Sequence, residues 1–299
     1  DITVTQESSG TYSGVISGTG SLTKEGASTL TLTGNNTYSG GTVVTAGVLA
    51  GTTVGLQGDI ANSATVTFDQ NSDGIYSDII SGTGAVTKSG SGVVTLSATS
   101  TYSGGTTFAR GTLAVSDESK LGSGDFSFDG GLLGLTTTTE VTRPLSLVGN
   151  GGIDADTGTT VTVSGLISGE GAFTKSGSGQ VTLTAANTYS GGTVVEGGIL
   201  TTSGSGTIGA SSGPLTINGG SLVLPPSSGD LSVARLSGSG GALVLNNNDI
   251  MITQGSDGTY SGVISGTGSL TKEGTSTLTL TGNNTYSGGT VVTAGVLAG

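Results

Sequence analysis

Three kinds of side chain in this sequence could do chemistry, and each stands in a repeated setting. Lysines lie at Lys24, Lys88, Lys175 and Lys272, every one inside a Thr-Lys-x-Gly run. Tyr38, Tyr102, Tyr189 and Tyr286 follow them, each 14 residues on, in Tyr-Ser-Gly-Gly-Thr. Asp69-Gln-Asn71-Ser-Asp73-Gly74 has the D-x-N-x-D-G spacing that wraps oxygen ligands around Ca²⁺. The twelfth position of that loop is Ile80 rather than a bidentate Glu, and the related runs at 5–10 and 253–258 do not keep the donors, which favours an Asx-rich turn. The lysines read as solvated charges that discourage sideways strand pairing. The tyrosines read as packing residues at a corner, with carbohydrate stacking the lesser alternative.

Catalysis has little to work with. The chain has no Cys and no His to act as nucleophile or base, only three Arg, and 20 mostly scattered acidic residues. Clustered Asp, Lys and Arg, or paired carboxylates, are what polysaccharide-cleaving coils of parallel strands require. The expectation is therefore a protein that is not an enzyme and uses no cofactor. A net charge of −12 argues against nucleic acid, whose phosphates need clustered basic residues. No apolar run reaches the ~18 residues of a membrane span. Gly18-Thr-Gly20 is no phosphate loop, as no helix pattern follows it.

The elements that hold these residues are short strands between glycine-rich turns, 59 of the 299 residues being Gly. No stretch carries helical i, i+3, i+4 periodicity. In Thr29-Leu-Thr-Leu-Thr33 the alternation is strict, and the matching positions in other copies keep Leu or Val at 30 and 32 while position 29 accepts Gln180. Leu30 and Leu32 therefore face inward. A motif beginning at Ile16, Ile80, Ile167 and Ile264 recurs over 12–51, 76–117, 164–204 and 260–299. Leu22 to Val44 and Ile16 to Tyr38 are both steps of 22, which suits a coil turning once per 21–22 residues rather than a sandwich or a propeller. Gly18, Gly20, Gly26, Gly40, Gly41 and Gly47 are placed at its corners, where a left-handed φ is cheap for Gly alone. Above this lies a longer period: residues 1–51 align without gaps to 249–299, with 46 of 51 positions identical. The reading is one continuous β-helix over 1–299, made of a long unit, 1–248, and the start of the next, 249–299.

The runs Val-Ile-Ser-Gly-Thr-Gly-Ser-Leu-Thr-Lys-Glu-Gly (15–26), Leu-Thr-Leu-Thr-Gly-Asn-Asn-Thr-Tyr-Ser-Gly-Gly-Thr (30–42) and Ala-Gly-Val-Leu (46–49) resemble the passenger-associated transport repeat of bacterial autotransporters. The resemblance covers most of the chain. It implies an all-β, right-handed parallel β-helix, of roughly 11–14 coils at the spacing above, exported to the cell surface or beyond. It carries over no catalytic residue. Near-identity over 51 residues at an offset of 248 suggests a structural repeat extended head to tail as a stalk, filament or sheath, with copies of itself as partners. The alternative is an adhesin rod presenting a surface to cells or glycans.

Overall fold

Alternation decides which side of each strand is dry. In Thr29–Leu32 the two leucines are buried and the two threonines half-buried, and Leu22–Glu25, Val93–Leu96 and Gln180–Leu183 repeat that two-residue rhythm. Thr and Val suit such half-buried positions because branching at Cβ fits the pleated surface. A computed structural model describes residues 1–226 and 228–299. Its strands pair in parallel, and the fold is an all-β solenoid of about 15 turns. Among the described residues there is no α-helix, only a 3₁₀ turn at Glu118–Lys120 capped by the Asp117 side chain.

Contacts divide the chain into two compact units, Asp1–Gly134 and Leu135–Gly299. In the first, one ladder runs through Ile2–Thr5, Leu22–Glu25, Thr42–Val44, Ile60–Asn62 and Ile80–Ser81. A second runs through Gly10–Tyr12, Thr29–Leu32, Val48–Gly51, Thr65–Asp69, Ala85–Ser89 and Thr106–Phe108 to Phe126–Phe128. The second unit has the same construction. Its ladder from Thr139–Val141 to Val263–Ser265 stacks Val161, Val181, Leu200, Leu222, Leu243 and Ile264 in register, all of them fully buried. Each such side chain contributes about 1.5–3 kcal/mol relative to exposure. The column is the core.

The coil is shorter than the motif spacing suggests. Leu22 lies opposite Ile2 and Thr42, steps of 20 residues, while Val44 lies opposite Lys24. Gly18, not Ile16, lies opposite Tyr38. The 22-residue match therefore joins residues one coil plus two positions apart. Two positions along a strand return to the same face, so the inward assignments hold although the coil length does not. This shorter step gives about 15 turns in place of 11–14.

The start of the second 248-residue unit falls inside an unbroken ladder. Leu231, Ser232 and Val233 pair with Ile250, Met251 and Ile252, which pair in turn with Leu270, Thr271 and Lys272. Leu243 pairs with Ile264. Ile250 and Ile252 are buried there.

Candidate functional site

The repeated polar residues are the candidates, and the structure puts most of them inside. Lys24 alternates with Thr23 on the inward side of its strand, between Val4 and Val44 of the coils before and after. Lys88 sits likewise between Phe68 and Phe108, Lys175 between Ile153 and Val195, and Lys272 between Ile252 and Val292. All four lysines are fully buried. The apolar stem packs in the column and the ammonium reaches the corner. Lys24 Nζ donates to the carbonyls of Glu25 (2.7 Å), Gly26 (2.7 Å) and, one coil on, Ala46 (3.1 Å). The other three lysines make the same set of contacts, for example Lys272 to Glu273, Gly274 and Ala294. The solvated-charge reading is overturned: each lysine is a three-pronged clamp joining two corners. Its three N–H donors meet three corner carbonyls, the first of which also accepts a backbone bond at Lys24, Lys88 and Lys272, from the N–H of Gln6, Gln70 and Gln254 in turn.

Burial disfavours the charged form and lowers the pKa of Lys24, Lys88 and Lys272. It takes Lys175 down to about 8, against the opposing pull of Asp154. Asp69 opposes the shift at Lys88 in the same way. With every ammonium proton engaged and no solvent access, these lysines are placed for holding backbone, not for nucleophilic work.

The tyrosines brace the coil. Tyr38, Tyr102 and Tyr189 are buried, and each hydroxyl bonds to the threonine four residues on, at 2.7, 2.7 and 2.8 Å. Thr42 and Thr193 then donate to Gln57 and Ile208 carbonyls in the loop that follows, both at 2.9 Å. Rings so enclosed are not available for stacking on a sugar. A third brace lies two residues before each tyrosine. Asn36 Oδ1 accepts from Ile16 N–H at 2.8 Å and its Nδ2 donates to Gly55 O at 2.7 Å, so one amide ties three successive coils. Asn187 does the same with Ile167 and Thr207. Asn284 accepts from Ile264, and Ser100 accepts from Ile80 through its hydroxyl. Sequence reasoning placed Ile16, Ile80, Ile167 and Ile264 at the motif start but overlooked the side chains holding their amides. The signal was an amide or hydroxyl two residues before every repeated tyrosine.

Asp69, Asn71 and Asp73 do not form a donor cluster. Asn71 Oδ1 accepts from Ser91 N–H (3.0 Å), and Asp73 Oδ1 from Val93 N–H (2.9 Å), each one coil later. The same stitch recurs from Asp59 to Ile79, Asp249 to Ser269 and Asp257 to Thr277. No group of three or more His, Cys, Asp or Glu able to hold a metal occurs among the described residues. Of the corner glycines, Gly26 (φ 75°) and Gly47 (φ 69°) are left-handed, and a Cβ on Gly47 would fall 2.5 Å from Gly26 O. Gly20 and Gly40 are not left-handed. They are needed for room instead, since a Cβ on Gly40 would lie 2.5 Å from the Gly20 backbone.

Beyond the regular coil, the 203–213 loop, Leu224 and residues 228–230 frame a cleft of about 190 Å³, lined in part by Thr207, Ile208, Ser211, Leu224, Asp230 and Leu231. No helix among the described residues is long and apolar enough to cross a membrane, which leaves membrane strands unaddressed.

Comparison with known proteins agrees with this geometry. The passenger-associated-transport-repeat family matches four times, at residues 22–50, 86–115, 173–202 and 270–298. Each match runs from the strand bearing the lysine clamp, past the strand after the next corner, to the strand that stacks on that one a coil later, as from Leu22–Glu25 past Thr29–Leu32 to Val48–Gly51. The chain is also similar to a protein of Brucella suis biovar 1 (strain 1330) named Adhesin BmaC autotransporter, with 36% identity over 348 residues. That alignment takes in 95% of this chain and 10% of the relative, so the chain spans about a tenth of that protein's length. No solved structure matches the chain.

Proposed function

Because this chain is a passenger-associated-transport-repeat β-solenoid of the autotransporter type, we propose that it is a non-catalytic structural segment at or beyond the bacterial surface. It adds length where near-identical 248-residue units succeed one another. One observation carries the reading: the coil ending the first unit pairs in register with the coil opening the second, Val233 on Ile252 and Leu243 on Ile264. A unit that ends on the edge the next unit needs can be repeated without a break. Separate copies are the proposed partners, joined head to tail. A chain that sediments as a clean monomer at high concentration would count against such joining. Electron micrographs of the parent material should contain long uniform fibres. Turnover of acidic polysaccharides by the purified chain would overturn the non-catalytic assignment.

A second reading is favoured by the relative's name and by the cleft between the 203–213 loop and residues 228–230. In it the solenoid presents its loops to cells or glycans. Saturable binding of the purified chain to host cells or a glycan array, lost when the 203–213 loop is replaced by a short turn, would support it.

A further inference from the structure

One strand well inside the chain has a ladder on one side only. Leu231–Val233 opens a sheet that continues through Ile250–Thr253, Leu270–Glu273 and Thr290–Val292. Leu231 N–H donates forward to Asp249 O, so by alternation the Ser232 N–H and C=O point back toward the preceding coil. Ala234 N–H, of the same parity, does point back and donates to Gly213 O. Met251 and Thr271 lie opposite Ser232 one and two coils on. They turn their backbone groups to the strand before them, since Ile250 and Leu270 donate forward. No strand stands behind Ser232, and among the described residues nothing bonds its backbone from that side. The loop that occupies the place has turned away: Thr207 O accepts from Asn187 Nδ2, and Ile208 O from Thr193 Oγ1.

The cleft lies in this break, for 206–211 line one side of it and Leu231–Val233 the other. The first repeat has a similar break, closed. Gly74–Tyr76 opens a sheet there as well. Tyr76 is buried and its hydroxyl donates to Gly58 O, while Gln70 Oε1 accepts from Thr53 N–H. Val233, third in its opening strand as Tyr76 is in its own, is too short to reach across. Ile208, Leu224 and Val233 give the cleft apolar walls, and Asp230 is the one charged residue among the described lining. Thr202, also in the lining, is buried with its hydroxyl unpartnered. No aromatic ring lines the cleft to stack on a sugar. An unpaired strand edge beside apolar pockets instead takes an added strand, bound by main-chain hydrogen bonds and sorted by its alternate side chains.

We propose that this cleft is a slot for a short extended peptide, added as a strand along Leu231–Val233 and hydrogen-bonded to the Ser232 backbone. Val233 points inward, so the peptide residue opposite Ser232 is polar and its two neighbours are aliphatic. A basic flanking residue suits Asp230 and the net charge of −12. The volume of about 190 Å³ lies below the ~300 Å³ at which drug-sized sites begin, so the occupant is short. The inference goes beyond the second reading, which names cells or glycans, and shares only its cleft.

The test is titration of the full 299-residue chain with an end-labelled peptide Lys-Val-Thr-Val-Thr, read by fluorescence anisotropy and amide hydrogen exchange. Saturable one-to-one binding is expected, with slowed exchange at the Ser232 amide. N-methylation of the peptide's central Thr should weaken binding about five-fold, the worth of one net hydrogen bond. Asp in place of both Val residues should abolish it, and neither change touches the protein. Val233→Tyr, which imitates the closed first repeat, should remove binding while the melt stays cooperative. No binding, or equal binding of the Asp-substituted peptide, overturns the proposal. So does peptide binding that leaves Ser232 exchange unchanged. Cells or glycans bound by a chain that ignores the peptide would overturn the slot and leave the second reading standing. Peptide bound by a chain that takes neither would uphold the slot and remove that reading.

Discussion

At the scale of the residue, the clamp lysines give the sharpest contrast. A solvated lysine can be exchanged for Met within about 0.5 kcal/mol. Lys88→Met instead takes the lysine donor from the carbonyls of Ser89, Gly90 and Arg110 in a buried corner, where only Ser89 O keeps a second donor, the Gln70 N–H, and should cost about 2 kcal/mol or more. Thermal melts of Lys88→Met beside Lys120→Met, a lysine whose ammonium bonds the exposed Thr99 hydroxyl, measure the difference. Stability should also depend on pH in two opposed windows. Between about pH 8 and 10.5 the unfolded chain holds more protons at Lys175 than the folded chain does, so stability rises with pH there. Tyr260 is raised from 10 to about 12 by burial, and Tyr38 and Tyr189 are raised too. Above pH 10 the unfolded chain releases phenolic protons that the folded chain keeps, so stability falls. The melting temperature should therefore climb from pH 8 toward pH 10 and drop beyond it, and Lys175→Met should flatten the climb but spare the drop. The inward direction of the clamp lysines was legible in the sequence; the clamp itself was not. Lys24 is two residues from Leu22, and strand parity alone puts both on the inner face. What misled was the habit of assigning charge to solvent, for nothing in the sequence displays the three carbonyls waiting at the corner.

At the scale of the element, corners and registers carry the argument. Gly47→Val places a branched side chain at φ 69° and drives its Cβ toward Gly26 O. Thr29→Val changes only a half-buried outer position. The first should lower the melting temperature by several degrees, equivalent to more than 1 kcal/mol, and the second hardly at all. Equal melts would remove Gly47 from its corner. Strand direction, inward faces and parallel stacking could be read from Leu30, Leu32 and their counterparts, because side-chain parity is written into the residues themselves. Coil length could not, since a step of 20 and a step of 22 leave the same faces dry. Only hydrogen-bond register separates them. The Asn36 brace went unread for a related reason: an amide bridging three coils can be recognised only once the three are stacked.

At the scale of the whole molecule, four family matches, a fourfold clamp and a 248-residue return describe one construction rule. Each coil buries its aliphatic column only against its neighbours, as in other repeat proteins. The two copies of the 51-residue stretch differ at Thr3/Met251, Val4/Ile252, Glu7/Gly255, Ser9/Asp257 and Ala27/Thr275. Four of those five pairs lie in the first coil, where 250–252 meets 231–233. Variation thus gathers at the face toward the preceding coil, and the face toward the following coil is constant. The central claim is that units add along one continuing ladder. Small-angle X-ray scattering from chains of one and of two 248-residue units tests it most directly. Extension along the ladder predicts a radius of gyration that nearly doubles, whereas a rise of only about 1.3-fold, the growth expected of a compact domain of twice the length, would contradict it.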